Sequence, residues 1–426
     1  MARLLTRTDA HVIVNAIVKE ATGGNSTLQV VDTSTFVSAG ELLNKVGKEK
    51  TLNAISIVMG RTIFEVRKYP AKLQLITAMS SGLFTNRFRK IKFYDRKALP
   101  TGAFNTDLNG NNLKEGSTNV SGDGATASMY EQHPDKPVEI NFYGSDVWQT
   151  ARTVYAVQLQ TAFNSEDDFI AFWEAGMVAY MNDVASQLEA LNRMVVLNRI
   201  AGNIDMVDKV PSGVVNLTTE YNKKFGTQYT SEQLRTTYLD KLLAFFVTEF
   251  KLASNYMTNR SSLYHWTPSE TETLTTFVPK SEQKALLYSP LFTEAEASVF
   301  PQIFNPQYLK IENYEGVEYW QNIINPAAID VTPAIPNVDD PAGEQVAGAN
   351  VKCPYVVGML FDTNAIMTDM HLQRSDTSHF EARKKYYTIW EDYAKNLIND
   401  YTNDCIVFIM DDSGLPAQAT AKTKKA

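Results

Sequence analysis

Cysteine is almost missing from this chain. Cys353 and Cys405 are the only two in 426 residues, so no disulfide framework holds the fold, and a cytoplasm is the expected site of synthesis. Long apolar runs are missing as well. The longest near the end, Cys405-Ile406-Val407-Phe408-Ile409-Met410, falls far short of the ~20 residues that span a bilayer, so no membrane partner is expected. The first residues, Met1-Ala2-Arg3-Leu4-Leu5-Thr6-Arg7, lack the apolar core of a signal peptide. Histidine is scarce: His11, His133, His265, His371 and His379 are the full set, which narrows catalytic chemistry. Asp369, His371, His379 and Glu381 are the best metal candidates. Their spacing does not fit one helical turn and no Cys/His pair accompanies them, so a polar strand pair around a turn accounts for them better. Neither a phosphate-cradling glycine loop nor a serine elbow is present. Asp411-Asp412 reads as an acidic turn, and Glu166, Asp167 and Asp168 as charges at the start of a helix. No catalytic, cofactor or metal residue is assigned, and the chain reads as a non-enzyme.

What the chain does have is ordinary bulk and unusual distribution. Apolar content of 44% and charged content of 21% are those of a globular protein, with length for two or three domains. The net charge of −8 is uneven: residues 1–100 carry 16 Lys/Arg against 7 Asp/Glu, leaving the rest strongly acidic. The basic excess peaks at Arg87, Arg89, Lys90, Lys92, Arg96 and Lys97. Three readings are open. The run contacts nucleic acid phosphates; it is a solvated strand edge guarded by charge; or it docks on the acidic remainder of an adjacent copy.

The region from Arg87 to Gly202 separates these readings best. Pro100 to Pro137 holds Gly102, Gly110, Gly116, Gly122 and Gly124, several asparagines and almost no large apolar residue, so it cannot form a core of its own. Arg87–Tyr94 enters this stretch and Val138–Tyr143 leaves it, both short and β-prone, as the legs of a long hairpin are. A hairpin arm with no core in its own chain finds one on a neighbouring subunit. The expected inter-subunit contacts are therefore Arg87, Arg89, Lys90, Lys92, Arg96, Lys97 and Lys114. A cross-link from Lys114 to an asparagine such as Asn119 lacks any local activating carboxylate.

Elsewhere the periodicity is coarser. Residues 1–38 read as an extended arm, and Ala39 to Met59 as two short helices. Thr62 to Tyr69 reads as a strand stopped by Pro70, and Ala71 to Leu83 as a short helix. Residues 165–202 give the clearest signal: Ser165 as N-cap, then Phe169, Phe172, Trp173, Met177, Tyr180, Val184, Leu188, Leu191 and Val195 on one stripe, with Gly202 as the stop. Another helix is expected from Ser231 to about Asn259. Leu309 to Ile311, Val317 to Ile323, Tyr355 to Asp362, Tyr386 to Tyr393 and Cys405 to Met410 read as strands, with a helix as the alternative for Tyr386 to Tyr393. Residues 326–352 read as a second long loop, and the tail from Pro416 as a mobile segment.

In this order the elements resemble the major capsid proteins of tailed bacteriophages, which share the Hong Kong 97-type fold. The C-terminal part is similar to short-tailed phage members through Val356–Ile366, Tyr386-Tyr387-Thr388-Ile389-Trp390, the Asn396–Asn403 connector and Val407-Phe408-Ile409. The resemblance implies an α+β fold with an N-terminal arm (1–60), an extended loop (95–137) and a tail (413–426). It implies a peripheral domain from 61–94, 138–230 and 372–412, and an axial domain of 231–371 whose loop 326–352 points to the capsomer centre. It further implies a virion protein that self-assembles in a bacterial cytoplasm into pentamers and hexamers of an icosahedral head around double-stranded DNA. Scaffold, portal and decoration proteins are the implied partners, with DNA lining the inner face without specific binding. The alternatives are a cellular encapsulating shell of the same fold, or a nucleic-acid-binding module using the basic hairpin.

Overall fold

The structure is a computed structural model. It describes residues 7–24, 28–46, 50–51, 54, 72–73, 76–78, 87–95, 136–143, 146–155, 166–269, 272–291, 293, 314–379, 381 and 383–413. The expected strand at 62–69, the strand at 309–311, Ser165, nearly all of the loop 95–137 and the tail from Pro416 lie outside those residues.

The apolar runs of the C-terminal third form the centre. β12 (Val356–Asp362) and β15 (Cys405–Ile409) pair antiparallel, and Val356–Phe361 and Cys405–Met410 are buried throughout. Strands covered on both faces carry such continuous apolar runs, because neither face meets water. β6 (Gln283–Tyr288) pairs antiparallel with β12. β5 (Val214–Asn216) and β7 (Tyr314–Val317) add in parallel at the edges, giving the order β5-β15-β12-β6-β7. A second sheet of order β1-β13-β14-β4 is built from β1 (Thr77–Ala78), β13 (Ile366–Thr377), β14 (Tyr386–Asn399) and β4 (Asp146–Tyr155). The closing strand expected at 386–393 thus runs six residues further, to Asn399.

One helix joins the two sheets. α3 (Glu166–Asp205) is 40 residues long, about 60 Å at ~1.5 Å per residue. Its first turn places Phe169 in the core beneath β4 and β14, and Val195, Val196, Ile200 and Ile204 enter the main core. Gly202, expected to stop it, lies inside the helix. A Cβ at Gly202 would sit 1.9 Å from Tyr401 Oη, so this glycine serves a close ring contact and the helix runs on to Asp205. Glycine marks either a stop or a near approach, and sequence does not tell them apart.

The helix expected over 231–259 is divided. α5 (Ser231–Thr236) opens on a capping box between Thr230 and Gln233, and α6 (Leu239–Met257) follows after a break. Thr236 and Thr237 are weak helix formers, and Tyr238 stacks on Tyr229 with centroids 4.3 Å apart, which favours the break. α6 then sets Phe246 and Phe250 against Phe408, each at 5.4 Å. Before them, α4 (Leu217–Phe225) is capped by Asn216 and ends on Gly226 at φ 66°.

Three further expectations are corrected. Where it is described, the extended arm expected over 1–38 is helical: α1 (Arg7–Ala21) and α2 (Thr33–Val46) form a helical pair. Ala10, Ile13, Val14, Ile17 and Val18 fall at helical spacing and are buried with Phe36, Ala39 and Leu43, and Asp32 caps α2 through the Thr35 amide at 2.8 Å. Second, Val317–Ile323 is a strand only as far as Val317. Third, the stretch 326–352 is tied down along α3. β8 (Ile329–Val331) pairs with β11 (Val351–Cys353), and β9 (Ala334–Ile335) with β10 (Val346–Ala347). Asn198 exchanges two hydrogen bonds with Ala334, at 3.1 and 2.6 Å. Residues on either side of 371/372 are paired: β12 and β15 share one sheet, and 371/372 falls within β13. Long-range pairing decides this, and local pattern carries no trace of it.

Candidate assembly surfaces

The two legs of the expected hairpin are real. β2 (Arg87–Phe93) pairs with β3 (Pro137–Tyr143) in one unbroken register from Arg87↔Tyr143 to Phe93↔Pro137. Alternation gives the hairpin two unlike faces. Val138, Ile140 and Phe142 are buried with Ile398, and Phe88 packs beside them. Arg89, Ile91 and Phe93 point the other way, with Ile91 48% and Phe93 56% exposed.

The basic residues divide along the same line. Lys90 and Lys92 turn inward, onto the turn that joins β14 to β15. Lys90 Nζ donates to the buried Asp400 carboxylate and, at 3.1 Å, to Asn403 Oδ1. Lys92 Nζ donates to Thr402 O and to Asn403 Oδ1, both at 2.7 Å. Burial drives the Lys92 ammonium down to about 8, against the pull of Asp400. Burial pushes Asp400 the other way, but the Lys90 and Lys92 charges and the hydrogen bonds from Lys90 and Thr402 outweigh it, holding the carboxyl below its usual range. Both lysines are therefore engaged within their own chain. Arg89 stays outward and pairs across the strands with Glu139 at 2.7 Å. Arg87 occupies the first ladder position, and Arg96, Lys97 and Lys114 lie outside the described residues.

The turn that receives the hairpin is a buried polar hub. Arg199 of α3 lies over the Tyr401 ring at 4.4 Å and donates to Asn403 O at 2.9 Å. Asn203 donates to Cys405 O at 3.0 Å, and Asn399 to Val195 O at 3.1 Å. His265 Nδ1 lies 2.7 Å from Asp404 Oδ1, which also accepts from Thr276 at 2.7 Å, while His265 Nε2 meets Leu274 O at 2.9 Å. These groups connect the hairpin root, the spine helix and both sheets at one point. The Asn396–Asn403 polarity was the visible trace of this hub; its connections to Lys90, Lys92, Arg199 and His265 cross long sequence separations.

A second junction seats the N-terminal helices. His11 Nε2 meets Glu166 Oε1 at 2.7 Å, and Glu166 is buried. The first-turn acid thus binds α1 as well as standing at a helix start. Under the same helices, burial raises the Glu391 carboxyl to about 7 despite the nearby Arg152. Tyr387, Ile389 and Tyr393 alternate with it along β14 and are buried, and the Tyr393 hydroxyl donates to Glu391 Oε2 at 3.3 Å. His371 in β13 and His379 beyond its end belong to a strand pair and its turn, and among the described residues no group of three His, Cys, Asp or Glu could hold a metal.

No protein-family model and no curated protein matches the chain. Solved structures do. Three of the structures it is similar to are from phages. The capsid structure of Staphylococcus phage Andhra is 11% identical at a TM-score of 0.49, covering 81% of this chain and 86% of that one. A structure of the head fiber and inner core protein gp22 of native bacteriophage P68 is 11% identical at 0.46, covering 78% and 83%. The capsid structure of the cyanophage P-SCSP1u is 11% identical at 0.37, covering 79% and 86%.

Proposed function

We propose that this chain is a major capsid protein, a structural subunit that self-assembles into the icosahedral head of a tailed phage around double-stranded DNA. The observation that carries the reading is the hairpin. Its root is fastened to the subunit by Lys90 and Lys92, while the roughly forty residues of sequence between its two legs are too polar to form a core of their own. A well-anchored root with an arm lacking a core suits an arm that buries its surface on a neighbour. Arms that wrap adjacent copies give large contact area and become ordered as they bind. The peripheral part is read as the β1-β13-β14-β4 sheet with α1, α2 and α3, and the axial part as the five-stranded sheet with α4 to α6. Pentamers and hexamers would be the capsomers, assembled in the host cytoplasm, with scaffold, portal and decoration proteins as further partners. The acidic net charge fits a shell that contains DNA without gripping it.

Deleting Thr101–His133 tests this reading. The expected product is a soluble subunit with unchanged secondary structure by circular dichroism that no longer builds shells. Intact shells from the deletion would overturn the role given to the arm.

A further inference from the structure

Two firmly built turns carry charge that their own chain leaves unpaired. The β13–β14 hairpin closes through Arg383, Lys384 and Lys385, all exposed. No acid among the described residues pairs with these three side chains. Arg374, further down the hairpin, is already joined to Asp376. Glu381, the acid of the turn, uses Oε1 to accept the Arg383 amide at 3.3 Å. Lys385 N–H donates to Glu381 O at 2.7 Å, and Lys385 itself is held left-handed at φ 55°. Glycine would adopt that conformation more cheaply, yet the sequence keeps a third cation there.

The opposite sign stands at the other end of β14. Residues 337–345 contain Asp339, Asp340 and Glu344 and no Lys or Arg, and all three acids are exposed. Their carboxylates have no cationic partner among the described residues. The loop that bears them is fixed. Asn337 Oδ1 accepts the Asp339 and Asp340 amides at 3.0 and 3.4 Å, and Gly343 N–H donates to Asp340 O at 2.9 Å. Asn141 of β3 donates to Ala342 O at 2.9 Å, and Gln345 Nε2 donates to Asn399 O at 3.4 Å. Asn399 ends β14, whereas the basic turn precedes Tyr386 at its start. The 14 residues of that strand, at ~3.3 Å each, set the two ends roughly 45 Å apart. Basic turn and acidic loop therefore do not meet within one chain.

We propose that the 383–385 turn of one copy docks on the 337–345 loop of a second copy, forming a head-to-tail contact. This rests on the self-assembly reading above. Three cations and three acids on preorganised frames match in number and sign, whereas duplex DNA would answer the basic turn and leave the acids unpaired. The two surfaces differ, so the contact is heterologous and closes into a ring when its rotation permits. Exposed ion pairs are individually weak and screened by salt, so the contact sets register and orientation more than strength.

Charge exchange tests it in the full chain. Arg383→Glu/Lys384→Glu/Lys385→Glu should keep the wild-type circular dichroism and associate at least about tenfold more weakly at low salt. Asp339→Lys/Asp340→Lys/Glu344→Lys should do the same, and a chain with all six changes should recover to within about threefold of wild type. Unchanged association in either triple variant, or no recovery in the combined chain, would overturn the contact, while wild-type shells would leave the capsid reading intact. Weakened duplex DNA binding with unchanged association would overturn it too, and give the turn to phosphate instead. No associated species from the wild-type chain would sink both readings. As a second measurement, Lys384→Cys/Asp340→Cys, assembled and then oxidised, should give a ladder of linked chains, since native Cys353 and Cys405 are both buried. Linkage from Lys384→Cys alone would mean turn meets turn and would overturn the proposal, as would assembled particles without any ladder.

Discussion

Gly202 shows how a single residue reverses an ordinary expectation. Alanine in a helix interior is normally favoured over glycine by about 1 kcal/mol. Here the added methyl would press into the Tyr401 ring, whose hydroxyl donates to Asn198 O and Ala334 O, both at 3.2 Å. Gly202→Ala should therefore destabilise the chain, by about 1–3 kcal/mol in denaturant unfolding, as overpacking does. Glu391 gives a second test at this scale. Its value near 7 lies above the ordinary 4.5, so the folded chain keeps a proton that the unfolded chain releases between those values. The stability it contributes is full below 4.5 and is lost as pH rises through 7. Glu391→Gln should remove that fall, which unfolding curves at pH 4.5 and pH 8 would show as a narrower gap than in the wild type.

At the scale of elements, the hairpin root couples two parts of the chain far apart in sequence. Lys92 has the unusual sign for a lysine: its value near 8 lies below 10.5, so the charged form is disfavoured in the fold. Between these values the unfolded chain binds the extra proton, and stability rises with pH across that window. Lys92→Met should flatten the rise, measured as the change in unfolding midpoint from pH 8 to pH 10. Legibility in the sequence varied by element for physical reasons. The spine helix, the hairpin legs and the buried strands at 356–362 and 405–409 were plain, because long stripes and continuous apolar runs are local signals. The N-terminal helices are hard to read because four of the five stripe positions in α1, Ile13, Val14, Ile17 and Val18, are β-branched and favour strands. The hub at Asp400–Asp404 stayed hidden because its partners, Lys90, Lys92, Arg199 and His265, reach it only through the fold. Lys90 and Lys92, expected to face a neighbour, were drawn inward by that same unseen carboxylate.

For the molecule as a whole, a well-buried two-sheet body leaves several large apolar side chains in water. Ile91 and Phe93 on the outward strand face, and Ile323 and Ile324 after β7, are exposed. Under the proposed shell role, several modest contacts are expected, since strong single ones trap wrong assemblies. The central claim is self-assembly, and electron microscopy of the purified full chain with sizing chromatography alongside tests it most directly. Closed shells, rings or tubes of uniform width are the predicted result. A chain that stays monomeric at high concentration and instead binds duplex DNA tightly and salt-sensitively would contradict the account and favour a nucleic-acid-binding role for the basic hairpin.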